Sequence, residues 1–256
     1  MALRRFYVEP GSASGSFVQI RGDLFHHIRE VCRFGVGARF EVLPGDGRAL
    51  LVEIANISGR DIEARKISER LLPTPPKPRL TLALSIPKLP KVDWIVEKCV
   101  ELGVHDIRPF VSEYSFLRKD TEISPARIAR WQKLIQSATQ QTGRGDLMKI
   151  HPATTLEKLL PEFNRLSAAG GLFPYEGESQ LELKPALTAL HARNLDQLWV
   201  FVGSEGGFSL NEVQAFADVG LSPVTLGEQI LRVETACLAL VSVIKYELGA
   251  PKDGSI

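Results

Sequence analysis

The segment "LLPTPPKPR", residues 71–79, places four prolines in nine positions. Proline lacks a backbone donor and fixes φ, so this stretch fits neither a helix interior nor a central strand. It therefore divides the chain, and the two sides differ in period. Before it run short alternating stretches, "FVQI", "RFEVLP" and "ALLVEIANI", with the turn signal "PGDGR" at 44–48; only "DLFHHIREVCRF" has helical spacing. A small β-rich domain over residues 1–72 is expected there.

After the prolines, strands alternate with helices. "LTLALSI" (80–86) reads as a buried strand. "VDWIVEKCVELG" sets Val92, Ile95, Val96, Cys99 and Leu102 on one helix face and stops at Gly103. In "SPARIARWQKLIQSATQQ", Ser124 caps and Pro125 opens a helix striped by Ile128, Trp131, Leu134, Ile135 and Ala138, its other face carrying Arg127, Arg130 and Lys133. "GLFPYE", "LWVFVG" and "PVTLG" are further strands, and a last helix from about Glu234 to Leu248 is apolar at Ala236, Cys237, Leu240, Val241, Ile244 and Leu248. The alternation predicts an α/β domain over 79–249, a mostly parallel sheet covered on both faces.

Other classes are disfavoured. No apolar run approaches the roughly 18 residues of a membrane span; "ACLALVSVI" is broken by Ser242 and followed by Lys245. "MALRRFYVEP" has no apolar core of a secretory signal, so a cytoplasmic chain is expected. Cys32, Cys99 and Cys237 share no ligand spacing, and His26, His27, His105, His151 and His191 form no HExxH, so no metal site is expected. Cys99 and Cys237 read as small buried hydrophobes. Charge is unevenly spread: Lys+Arg against Asp+Glu is 11 to 9 over 1–70, 13 to 8 over 77–149 and 7 to 13 over 150–256. The basic middle is either a solvated face or the footprint of a polyanion.

Chemistry concentrates in two loops. "LWVFVGSEGGFSLNEVQAF" is a strand, a glycine turn and a helix opened by the capping box Ser209 and Glu212. Neither GxGxxG nor GxxxxGK[ST] is satisfied, which disfavours a phosphate cradle. "TLGEQILRVETACLAL" repeats the arrangement after a second strand. Two such loops at the carboxyl ends of neighbouring strands are where open α/β sheets bind ligands.

With "EKCVELGV", "SATQQTGR", "RRFYV" and "HHIREVCR", these loops resemble the RsmE-type ribosomal RNA methyltransferases of the SPOUT superfamily, over about residues 4–249. The resemblance implies a SPOUT-type trefoil-knotted α/β domain preceded by a small PUA-like β-barrel that binds RNA. It implies methylation of N3 of a uridine in 16S rRNA from S-adenosyl-L-methionine, without metal, by a homodimer acting on 16S rRNA or the 30S subunit. Phe173, Val202, Gly203, Glu205, Gly206, Leu226, Gly227, Ile230, Leu231 and Ala236 would border the cofactor. Arg5, His27 and Arg33, with Lys88, Lys91, Lys98 and Arg144, would contact RNA.

Two positions depart from the family pattern: Ser204 stands where proline is usual, and Cys32 where leucine is usual. Uracil N3 is largely protonated at neutral pH, so a cation beside O2 or O4 would help, and Arg232 is the candidate. Glu205 or Glu234 would accept the proton, although Glu234 equally suits the N-terminal dipole of the last helix. Methylation of a ribose 2'-hydroxyl or of tRNA, and a non-catalytic RNA-binding assembly factor, are the alternative readings; a nicotinamide oxidoreductase is more distant.

Overall fold

The computed structural model describes residues 3–13, 15–73, 76–177 and 181–249. Met1 and Ala2 of the expected first domain, and Thr74 and Pro75 of the proline-rich segment, lie outside them. The chain divides into two compact units, Met1–Thr74 with Gln136–Leu147, and Pro75–Ile135 with Met148–Ile256.

The first unit is a five-stranded sheet of β1 (Arg5–Tyr7), β2 (Phe17–Ile20), β3 (Arg39–Leu43), β4 (Arg48–Ser58) and β5 (Asp61–Leu71), in the order β1-β3-β4-β5-β2. The 44–48 turn joins β3 to β4 as an antiparallel hairpin. A second hairpin pairs β4 with β5 and carries bulges at Leu51/Val52 and Ile54/Asn56, which increase local twist. Between β2 and β3 lies α1 (Gly22–His26), continued as a π turn over His27–Val31 that buries Ile28. The core gathers inward residues of every strand, with Phe6 edge-on to Phe40 at 5.2 Å.

In the second unit the elements follow as β6 (Arg79–Ser85), α2 (Leu89–Glu101), β7 (Asp106–Val111), α3 (Pro125–Thr142), β8 (Lys149–Ile150), β9 (Thr154–Thr155), α4 (Leu156–Asn164) and β10 (Ala169–Pro174). Then come β11 (Leu181–Glu182), α5 (Leu183–His191), β12 (Gln197–Val202), α6 (Leu210–Asp218), β13 (Ser222–Thr225) and α7 (Val233–Gly249). Every pairing here is parallel, in the order β11-β13-β10-β12-β6-β7-β8, with β9 also on β7.

Both faces of the sheet are covered. On β12, Trp199 and Phe201 enter an aromatic cluster with Phe163 of α4 and Phe216 of α6. Leu198, Val200 and Val202 alternate to the other face and are also buried. Helix α7 packs on α2 and α5, burying Cys237 with Leu240 and Val241. Burial pushes the Cys99 thiol up to about 12 and the Cys237 thiol well above its ordinary value. Both behave as hydrophobes. Helix α2 ends one residue before Leu102, and Gly103 takes the left-handed φ of 78° that stops it. Val100, unread in the sequence, is buried on it, while Leu102 is only half-buried.

Candidate active site

Three adjacent parallel strands, β13, β10 and β12, end at one cavity of about 400 Å³. The loops after each strand and the first turn of α7 form its walls, from Pro174 to Gly177, Val202 to Ser204, Gly206 to Phe208, Thr225 to Leu231, and at Val233 and Ala236. This is the carboxyl-end crevice where open α/β sheets take ligands.

The glycines have definite steric work. A Cβ on Gly203 would stand 3.0 Å from the backbone of Gly207, so a side chain there would force the turn to give. A Cβ on Gly206 would meet Tyr114 Cβ at 2.7 Å, so this glycine admits the loop after β7. That approach is fastened by the Ser204 hydroxyl, which donates to the Tyr114 carbonyl at 2.6 Å. Helix α6 opens with both halves of its capping box, Glu212 N–H to Ser209 Oγ at 3.3 Å and Ser209 N–H to Glu212 Oε2 at 2.9 Å.

Of the residues expected at the cofactor, Val202, Gly203, Gly206, Leu226, Gly227, Ile230, Leu231 and Ala236 all line the cavity. Phe173 and Glu205 stand off its wall. Strand alternation turns Phe173 into the core, stacked 4.5 Å from Phe216, while its neighbours Pro174 and Tyr175 face the cavity. Ser204, noted in the sequence only as a departure from the family pattern, lines it too, as do Gly207, Phe208, Val233 and the rim carboxylates Glu176 and Glu228, which were not expected at the cofactor. All but Glu176, which follows β10, lie in or beside the two glycine loops, and that was the available signal.

Glu205 and Glu234 come together on a third residue. Lys91 Nζ lies 3.3 Å from Glu205 Oε1 and 3.0 Å from Glu234 Oε2. Burial lowers the affinity of Lys91 for its proton, but the two carboxylates outweigh it and hold the ammonium above its ordinary range. Burial likewise opposes the charge on Glu234, yet a backbone hydrogen bond, Lys91 and Arg232 together hold it below the ordinary carboxylate range. Arg232 is exposed at the cap of α7, where its carbonyl accepts from Ala236 N–H at 2.8 Å. Among the described residues neither glutamate forms an ion pair with it.

The basic middle of the chain is extensively paired. Asp93 accepts from Arg130 at 2.7 Å, from Arg127 and from Trp131 Nε1. Lys98 bridges Glu97 and Glu101, and Arg144 pairs with Asp146 at 2.7 Å. Lys88 is exposed at the start of α2, its backbone N–H directed at Glu205.

In the first unit, Arg5 and His27 share a cleft of about 380 Å³ with Arg4, Ser137, Gln140 and Gln141. Arg5 also pairs with the buried Glu41 at 3.0 Å. The hydrogen bonds of Arg70 and then Arg5 hold the Glu41 carboxyl below its usual range against its desolvation. Arg33, exposed and left-handed at φ 56°, stands outside this cleft. No group of three or more His, Cys, Asp or Glu among the described residues could hold a metal ion. No helix among them is long and apolar enough to cross a membrane.

The cavity fits S-adenosyl-L-methionine in kind. It offers apolar walls at Val202, Phe208, Leu226, Leu231 and Ala236, glycine backbone for polar edges, and rim carboxylates for a cationic ligand.

Residues 74–245 match the model of an RNA methyltransferase domain, and residues 20–67 match that of an RNA methyltransferase PUA domain. Fold, cavity and matches together define a two-unit RNA methyltransferase. Proteins named ribosomal RNA small subunit methyltransferase E are 30% identical in Aquifex aeolicus, over 93% of this chain and 97% of that one, and 28% identical in Bacillus subtilis, over 89% of each. The Neisseria gonorrhoeae protein of that name, crystallised with S-adenosyl methionine, superposes with a TM-score of 0.82 at 27% identity, over 96% of this chain and 98% of that one. The chain belongs to the ribosomal RNA small subunit methyltransferase E family.

Proposed function

We propose that this chain transfers the methyl group of S-adenosyl-L-methionine to N3 of a uridine in 16S rRNA. The observation that carries the reading is the cavity at the ends of β10, β12 and β13, walled by eight of the ten residues expected at the cofactor. It is tested by incubating purified chain, labelled S-adenosyl-L-methionine and 16S rRNA or 30S subunits, and identifying the labelled nucleoside.

When bound, the cofactor supplies a methyl group already activated on a sulfonium. The residues of the chain have the remaining tasks of alignment, water exclusion and handling of the N3 proton. Arg232, adjoining the wall residues Leu231 and Val233, stabilises negative charge developing on a uracil carbonyl oxygen. Glu205, its side chain 37% exposed, is better placed than Glu234, at 22%, to take the proton. The charged form of Glu234 is favoured by its surroundings, which makes it a poor proton acceptor.

Residues 1–72 act in this proposal as the RNA-binding domain and 79–249 as the methyltransferase domain. The Arg5 and His27 cleft, Arg33, Lys88, Lys91, Lys98 and Arg144 contribute charge toward RNA, those already ion-paired exchanging carboxylate for phosphate. The segment from β13 through α7 threads the trefoil knot, and two copies pair through that region in the cytoplasm. The exposure of Trp94 on α2 and of Val243 and Tyr246 on α7, at 41%, 38% and 78%, supports pairing there.

A further inference from the structure

The loop after β7 has no part in the cavity wall, yet it is fixed with unusual thoroughness. Ser112 and Ser115 are buried with Ser85, their hydroxyls 2.5 to 3.1 Å apart. Ser112 N–H donates to Ser115 Oγ at 2.8 Å, and Phe116 N–H to the Ile86 carbonyl at 2.9 Å. From the other side Glu113 N–H donates to Glu212 Oε1 at 2.8 Å, and Ser204 holds the Tyr114 carbonyl. Ser112, Ser115 and Leu117 point inward; Tyr114, Phe116 and Arg118 point outward.

Arg118 donates to the Glu113 carbonyl at 2.5 Å, whereas the two outward rings gain little from the fold. Tyr114 is 46% and Phe116 53% exposed, two large rings held in water on an immobilised backbone. Tyr114 rests against Gly206, a wall glycine of the cofactor cavity. The 86–88 segment joins Phe116 to an exposed cation, since its Ile86 carbonyl accepts from Phe116 while Lys88 N–H is directed at Glu205. Arg118 and Lys119 follow on the same loop, both exposed. Aromatic faces interleaved with cations, adjoining a methyl-donor cavity, suit unstacked bases and their phosphates.

We propose that Tyr114 and Phe116 form a stacking platform for a single-stranded RNA segment beside the target uridine, with Lys88 and Arg118 at its phosphates. This rests on the RNA methyltransferase reading above. The platform holds bases out of their stack at the cavity mouth, which the reaction requires because a ring nitrogen inside a helix is inaccessible.

The test uses the full chain and a uridine-containing ribo-oligonucleotide carrying 2-aminopurine next to the uridine. The parent should bind it and quench the fluorophore. Phe116→Leu and Tyr114→Leu should each weaken binding by about 5- to 150-fold, the range for loss of one stacked base. Quenching should fall as well, and Tyr114→Trp should restore both. Salt dependence should stay unchanged in the leucine variants and lose about one unit of slope in Arg118→Gln. Affinity for S-adenosylhomocysteine and the melting temperature should match the parent in Phe116→Leu, whose ring is exposed.

Equal binding and quenching in parent and leucine variants would overturn the platform alone. Lost affinity for 30S subunits with oligonucleotide binding intact would also overturn it, marking the surface as a protein contact. A parent that takes neither RNA nor S-adenosylhomocysteine would overturn the underlying reading together with the platform.

Discussion

Lys91 Nζ stands 3.0 Å from Glu234 Oε2, joining the start of α2 to the first turn of α7, and the same ammonium reaches Glu205 on the glycine loop after β12. One cation thus sets the spacing of two elements that wall the cavity. Both carboxylates make their close ion pairs with Lys91, and the charge of Arg232 acts on Glu234 only from beyond ion-pair distance.

Removing Lys91 should cost stability in a pH-dependent manner. Glu234 is held below its ordinary 4.5, so its contribution is present above that value and is lost as pH falls through the folded value. Lys91 is held above its ordinary 10.5, so its contribution is complete below that value and is lost as pH rises through the folded value. At pH 7 both are present, and Lys91→Met should lose about 1 kcal/mol, the scale of a partly exposed pair. Urea unfolding at pH 7 and near pH 4 checks this, with a smaller deficit expected in acid. An equal deficit at both would trace the loss to packing of the lysine stem.

Ala236 gives a direct probe of the cavity. It lies on the wall in the first turn of α7, and Ala236→Leu keeps the backbone bond to Arg232 while filling space a ligand would occupy. Titration calorimetry with S-adenosylhomocysteine should show affinity lower by about tenfold or more, with the melting temperature near the parent. Gly206 is unsuited to that question, because any side chain there strikes Tyr114 first.

Arg232→Ala should slow methyl transfer by about 10² to 10³, the usual loss for one donor to a developing anion, with cofactor affinity nearly intact. Arg232→Lys should recover only part of the rate, since an ammonium lacks the planar fork. Raising the pH should help the alanine variant more than the parent. Single-turnover rates at saturating RNA check this, and an unchanged rate would assign the role to backbone amides of the 202–207 loop.

Much of the site was legible because its signals are local. The capping box, the turn that Gly203 closes on Gly207, and the left-handed stop at Gly103 each act within a few residues, so sequence order exposes them. What was missed depends on distant neighbours. Strand β5 is charged in its outer half, and only Ile62 and Ala64 are buried on it, which left no sustained alternation. Helix α4 carries Pro161 and α5 Pro185, both in the first turns or middle of short helices, which masked them. The surplus of cations over 77–149 was visible, but which of its cations are tied to carboxylates of the same segment, as Arg127 and Arg130 are to Asp93, Lys98 to Glu97 and Glu101, and Arg144 to Asp146, was not, because composition does not say which carboxylate faces which cation. The bridging role of Lys91 was hidden for the same reason.

Paired copies should appear in solution as twice the 28.3 kDa chain mass. Sedimentation equilibrium of the parent should give a dimer, and Val243→Glu with Tyr246→Glu, both on the exposed side of α7, should shift it toward monomer. A parent that stays monomeric while methylating RNA would contradict the proposed pairing.

The identity of the modified nucleoside decides whether this chain is a uridine N3 methyltransferase. Purified chain is incubated with S-adenosyl-L-methionine and 30S subunits or 16S rRNA lacking the modification, and the RNA is digested to nucleosides for mass spectrometry. The expected product is 3-methyluridine, formed at one position and strongly reduced by Arg232→Ala. A 2'-O-methylated nucleoside, or no methylated product from a chain that binds both cofactor and RNA, would contradict it.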